Sequence, residues 1–160
     1  MSAVNYNFAD EQAWRNLSWS WATSYDTKNW TLLESITTPQ VQTIYSGIDP
    51  RLGDKTVAKE EYIGHFSSKA SLGDDIIKTQ HILGAVKFEI TGLDTATGNW
   101  QVQAAHYRTL ATGEVKEWTS ASYVDHLYER IGGEWKFAGL RPHTKLWERG
   151  SVMSVIGEFE

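Results

Sequence analysis

At 160 residues and 41% hydrophobic content, the chain has room for one domain with a sizeable core and too little length for two. A net charge of -5 with interspersed signs offers no basic stripe to a phosphate backbone, which argues against nucleic acid as a partner; no apolar run approaches the roughly 18 residues of a membrane span, and Met1 to Asp10 lacks the basic and apolar regions of a signal peptide, so an intracellular, cytoplasmic protein is expected. Zero cysteines rule out disulfides, thiolate nucleophiles and cysteine-based metal sites, while eight Trp, seven Tyr and five Phe must either pack the core or line a pocket for a planar ligand.

In chain order, Trp14, Leu17, Trp21 and Tyr25 recur at spacings of three and four, one stripe of an amphipathic helix from about Asp10 to Tyr25. A second short helix is predicted from Lys28 to Ile36, ended before Pro39, and Gln40 to Ser46 alternates as a strand. Asp49 to Asp54 is turn chemistry, and Val57 to Leu72 reads as a third helix stopped by Gly73 and Asp74. From Lys78 the pattern becomes β-rich, with runs at 78–91, 99–110, 115–131 and 134–142 joined by short polar turns that suit antiparallel hairpins. Helices first and a strand meander second predict an α+β fold: N-terminal helices laid over one face of a strongly curved antiparallel sheet. The whole of 1–160 reads as a single domain, with 143–160 as a C-terminal lid or tail.

Residues two apart in a strand share a face, so His81, His106 and Ser122 each lie among apolar neighbours on their strands. If those faces point inward, two imidazoles and a hydroxyl enter the concave side of the sheet, where burial and hydrogen bonds tune an imidazole to trade a proton near neutral pH. For either histidine alone, the competing explanation is a core residue satisfied by a backbone carbonyl. Asp26 follows the last apolar residue of the first helix, at a rim from which a carboxylate can reach and orient a histidine on the covered sheet; the alternative is a solvated helix-end aspartate. Tyr25 and Tyr45 are phenols able to polarise a carbonyl, or else ordinary core aromatics. His65, His126 and His143 read as structural or exposed. His81, His106 and Asp26 would also suit a metal, a possibility that sequence does not separate from acid–base partners; metal-free acid–base chemistry is the reading adopted.

The segments Ala22-Thr23-Ser24-Tyr25-Asp26-Thr27-Lys28-Asn29-Trp30, Ser67-Ser68-Lys69 with Leu72-Gly73-Asp74, Thr79-Gln80-His81, and Gly133-Glu134-Trp135-Lys136-Phe137-Ala138-Gly139-Leu140-Arg141-Pro142 resemble the scytalone dehydratase family, over about Trp14 to Trp147. The resemblance implies the cone-shaped α+β fold of nuclear transport factor 2 and ketosteroid isomerase, commonly a trimer, and removal of water from a cyclic hydroxyketone without metal or cofactor. It also implies roles. Tyr25 and Tyr45 match tyrosines that polarise the substrate carbonyl through an ordered water, Asp26 the family's aspartate, His81 and His106 its two active-site histidines with the first moving protons, and Ser122 its substrate-binding serine. Val124 stands where the family has an asparagine that binds a substrate hydroxyl, and the tail from Gly150 to Glu160 offers Val152, Met153, Val155, Ile156 and Phe159 in place of a phenylalanine-rich closing segment. These departures point to a relative acting on a related polyketide-like or other small cyclic substrate. An isomerase or cyclase on a similar molecule, and a non-catalytic ligand-binding module, are the alternatives.

Overall fold

The computed structural model describes residues 7–156. Helix α1 spans Phe8–Thr27 and opens with a capping box in which Asn7 accepts from the Asp10 backbone N–H and Asp10 accepts from that of Asn7. Lys28, in the left-handed conformation, ends it. Its buried face runs through Trp14, Leu17, Ser18, Trp21, Ala22 and Tyr25, the 3–4 spacing expected of a helix laid on a sheet. The N-terminal end is tied down by Asp10, whose carboxylate accepts from Trp135 Nε1 at 2.8 Å and from Arg130 at 3.3 Å.

After α2 (Trp30–Ile36), β1 covers Thr37–Ile44 and β2 Asp54–Ala58; α3 follows at Lys59–Ser67, then β3 (Ile77–Ile90), β4 (Thr95–Thr109), β5 (Val115–Ile131), β6 (Glu134–Gly150) and the one-turn α4 (Val152–Val155). The six strands form one curved sheet in the order β2-β1-β6-β5-β4-β3. Every pairing is antiparallel except β1 with β6, which is parallel. The α+β architecture expected from the sequence is present.

Three boundaries differ from the sequence expectation. The third helix is shorter, because Asp54–Ala58 pairs with β1 instead of coiling; the β-branched Thr56 and Val57 suit that strand. Pro39 lies inside β1, at a stretch where the register with β6 slips and before the pairing with β2 begins, so no ladder bond requires its missing N–H. β6 does not end at Pro142 but continues to Gly150, so residues 143–150 belong to the sheet and His143 is a strand residue. Gly139 makes the β1–β6 slip possible: its φ is +144°, and a Cβ there would lie 2.0 Å from the Gln42 carbonyl oxygen.

The core lies between α1 and the concave face of the sheet. Trp14, fully buried, packs edge-on against Trp135 at 5.1 Å and stacks on Tyr128 at 6.0 Å. Truncating such a ring to alanine costs roughly 3–5 kcal/mol. At the other end Val155 of α4 is fully buried, its carbonyl accepting from Arg108 Nε at 2.7 Å while Arg108 Nη1 binds Asp74 at 2.9 Å. Arg108 thereby ties α4 to Asp74 across β4. Phe159 lies outside the described residues.

Candidate active site

The site is built around the contact between α1 and β3. The last turn of α1 brings Tyr25 and Asp26 against β3, where Asp26 Oδ1 lies 2.7 Å from His81 Nδ1 and Oδ2 accepts from the His81 backbone N–H at 2.9 Å. Thr79 Oγ1 donates to the same carboxylate at 3.1 Å. A carboxylate only accepts, so His81 carries a proton on Nδ1 and turns Nε2 away from Asp26. Burial pushes the Asp26 carboxyl up, but the His81 ring, the His81 backbone and Thr79 together hold it below its ordinary value. The helix-end carboxylate is therefore bound to the sheet rather than solvated.

His106 stands on β4, with its pair partners Thr79 on β3 and Trp118 on β5. Its centroid is 5.5 Å from that of His81 with the rings perpendicular, and it stacks on Trp118 at 4.3 Å. His106 Nδ1 lies 3.1 Å from the Trp118 carbonyl oxygen, which fixes a proton on that nitrogen and leaves Nε2 as an acceptor in the neutral ring. Burial, then the neighbouring His81 charge, bring its pKa down to about 4. His106 is neutral near pH 7, and its backbone-carbonyl bond is the one anticipated for a core histidine.

A phenol cluster closes the same end. Tyr25, buried, donates to Tyr62 Oη at 2.8 Å, and Trp21 Nε1 donates to the same oxygen at 3.3 Å. Tyr62, from α3, is a further functional candidate, one that nothing in its local sequence marks. With two donors arriving at its oxygen, its own hydrogen is left for a third partner. Burial raises the Tyr62 hydroxyl to about 12 against the lowering effect of those two bonds, while Tyr25 is pushed well above the usual phenol by burial and by Tyr62. Tyr45, just past β1, packs against this cluster half-buried; burial and then Tyr62 raise its hydroxyl too.

Ser122 and Val124 lie on β5 opposite Val102 and Trp100, two successive positions of the face that carries His106 and Trp118. Val124 is buried, and Ser122 half-buried. Tyr25, Asp26, His81 and His106 are brought into one network of hydrogen bonds and ring contacts, whereas Ser122 and Val124 share the sheet face of His106, with Val124 in the same buried cluster as Tyr25.

The remaining histidines separate. His65 is exposed on α3 against Phe66, and His143 lies on the opposite face of the sheet, 2.7 Å from Asn99 Nδ2, beside the Asp125–Arg141 pair. His126 is fully buried, with Nδ1 2.8 Å from Ser18 Oγ. The signal that would have found it is plain: positions 122, 124, 126 and 128 share one strand face. Among the described residues no cluster of three or more His, Asp or Glu side chains has metal-binding geometry, and no helix is long and apolar enough to cross a membrane.

Comparison with known proteins gives the same picture. The family model for scytalone dehydratase matches residues 5–156. The scytalone dehydratase arp1 of Aspergillus fumigatus is 37% identical over 157 residues, 96% of this chain and 92% of the relative. The scytalone dehydratase of Pyricularia oryzae is 34% identical over 145 residues, 88% of this chain and 83% of the relative. Among solved structures, the Kfla4162 protein of Kribbella flavida superposes with a TM-score of 0.74 at 18% identity, covering 88% of this chain and 93% of that one, a likeness of fold. With its fold, its carboxylate-held histidine and a family match over nearly its whole length, the chain belongs to the scytalone dehydratase family.

Proposed function

We propose that the protein is a dehydratase that removes water from a small cyclic hydroxyketone, a polyketide-derived molecule, using its own acid–base groups. The observation that carries this reading is the Asp26–His81 pair: an imidazole locked at Nδ1 by a carboxylate presents Nε2 as a base of fixed direction. His81 Nε2 takes the proton from the carbon next to the ketone, Asp26 stabilises the imidazolium that forms, and the phenols receive the charge developing on the ketone oxygen. The imidazolium then returns its proton to the departing β-hydroxyl, so the carbon–oxygen bond breaks as the carbon–carbon double bond forms and water leaves. His106, neutral and too weakly basic at about pKa 4 to compete for the proton, serves as a hydrogen-bond acceptor for a substrate hydroxyl. Ser122 and Val124 form the specificity wall, with Ser122 the donor or acceptor and Val124 an apolar surface.

The family relationship supports a trimer. So does a row on the outer face of the sheet, Ile82, Gln103, Ala121 and Trp147, in which Ile82 and Trp147 are 49% and 46% exposed. Residues 151–156, held through the Val155 carbonyl by Arg108, are the part of the tail proposed to close the pocket, and the protein is proposed to be cytoplasmic.

The test is to incubate the protein with 3-hydroxy-1-tetralone and its ring-hydroxylated derivatives and follow mass and absorbance. Loss of water with formation of a naphthol supports the reading. An isobaric product would assign an isomerase or cyclase instead, and binding without turnover a ligand-binding module.

A further inference from the structure

His106 of β4 and Trp118 of β5 stand directly opposite each other in the ladder. Trp118 holds the imidazole in two ways. Its backbone carbonyl oxygen lies 3.1 Å from His106 Nδ1, and its indole stacks on the imidazole with centroids 4.3 Å apart and planes 19° from parallel. A histidine ring is placed by two side-chain torsions. The carbonyl bond sets the direction of Nδ1 and the stack sets the plane of the ring, so the two constraints together leave it one orientation. The carbonyl is there whatever side chain stands at position 118, whereas the stack requires a flat one.

The indole is itself fastened. Trp118 Nε1 donates to Glu148 Oε1 at 2.7 Å, and Glu148 Oε2 accepts from Lys145 Nζ at 2.8 Å. In the β5–β6 ladder Trp118 is opposite Gly150 and Glu148 is opposite Ser120, so the Glu148 carboxylate reaches the indole on the diagonal. Lys145 and then Trp118 hold the Glu148 carboxyl below its ordinary value, which keeps it an ionised acceptor. A bond from an N–H to a carboxylate is charge-assisted and stronger than one to a neutral oxygen. Trp118 is only half-buried, so packing alone does not confine its ring, and the bond to Glu148 selects one rotamer. Glu148 on β6, Trp118 on β5 and His106 on β4 thus form one line of contacts, and the His106 ring at its end meets that of His81 at 5.5 Å.

We propose that Trp118 is a positioning residue for His106: its indole, anchored by Glu148, sets the plane of the imidazole that takes a substrate hydroxyl. The part played by that hydroxyl rests on the dehydratase reading above. Trp118 acts through His106 and needs no contact of its own with the substrate.

The experiment reads the His106 ring first and its work second. In protein carrying nitrogen-labelled histidine, NMR shifts report which ring nitrogen holds the proton, and the His106 signals are those missing from His106→Asn. The wild type at neutral pH should show His106 as a single Nδ1–H tautomer. Trp118→Leu removes the stack and the Nε1 bond but leaves the backbone carbonyl, and His106 should then show shifts averaged between tautomers. Trp118→Phe, which keeps a ring to stack, should restore most of the wild-type signature. Glu148→Ala should weaken the signature, and Glu148→Gln, which still offers an acceptor, should preserve it.

Turnover is followed with 3-hydroxy-1-tetralone and its ring-hydroxylated derivatives. Trp118→Leu should raise KM by roughly 10-fold, the size of one lost hydrogen bond, and change kcat little. In the His106→Asn background it should raise KM no further, because both changes remove the same contact. A single Nδ1–H tautomer in folded Trp118→Leu overturns the proposal. So does an additive rise in KM in the double variant, which would put the indole against the substrate itself. A lowered Tm with tautomer and KM unchanged would assign Trp118 to packing and overturn it as well, and an unaltered tautomer in Glu148→Ala would remove Glu148 from the anchor. Absence of turnover in the wild type would sink the dehydratase reading, while the NMR signatures still decide whether Trp118 positions His106.

Discussion

The Asp26 carboxylate binds His81 twice, at the ring Nδ1 at 2.7 Å and at the backbone N–H at 2.9 Å. One side chain at the end of α1 thus fixes both the strand position and the ring orientation of the proposed base. His81→Asn, which keeps much of the shape but removes the titrating nitrogen, should lower kcat by on the order of 10²-fold or more with the fold intact. Asp26→Asn should also slow turnover, because an amide no longer fixes the proton on Nδ1 and the direction of the ring. Near-full kcat in His81→Asn, measured where chemistry limits the rate, would remove His81 from the mechanism.

Tyr62 is the phenol that collects hydrogen bonds from Tyr25 and Trp21. Donors arriving at a hydroxyl oxygen strengthen the bond it gives in turn. Tyr62→Phe should therefore cut kcat by roughly 10-fold or more, and Tyr25→Phe should cost little further in the Tyr62→Phe background, because the two act as one chain. Additive losses in the double variant would show two independent contacts.

Two buried neutral histidines set the acid side of stability. His106 and His126 have folded values of about 4 and 3, below the unfolded value near 6.5, so between those limits the unfolded chain binds more protons. Their contribution is complete above the unfolded value and is lost as pH falls, each histidine adding a slope of about 1.4 kcal/mol per pH unit within its window. Denaturation followed from pH 7 to pH 4 should show stability falling with acid, and His106→Asn should flatten the slope by about one proton. An unchanged slope in that variant would mean that His106 titrates normally in the fold.

Val124 presents an apolar side chain where the family resemblance implies an amide. A substrate hydroxyl buried against it without a partner costs roughly 1–3 kcal/mol, so scytalone should be a poor substrate. Val124→Asn should shift the kcat/KM ratio by roughly 10-fold or more toward the substrate with a hydroxyl at that point, and should cost activity on the preferred one. A constant ratio for two substrates differing only there, in a folded variant, would mean that Val124 does not face the ligand.

The local patterns were legible without the fold. The stripe of Trp14, Leu17, Trp21 and Tyr25 specified α1 because 3.6-residue periodicity leaves those side chains one face to bury. The four β-rich runs specified β3 to β6 for the corresponding reason at period two. The quoted segments carried the family and, with it, the candidates Tyr25, Asp26, His81 and His106. What the sequence could not decide depends on groups distant along the chain. β2 forms because β1 offers it a partner strand, and β6 runs past Pro142 because β5 pairs with it to Gly150; neither partnership has a local signature. Tyr62 reads as a core aromatic until Tyr25, 37 residues away, donates to it, and Ser18 breaks the apolar stripe for no visible reason until His126, 108 residues away, takes its hydrogen bond. A buried polar side chain is defined by its partner, and only the tertiary structure brings the partner to it.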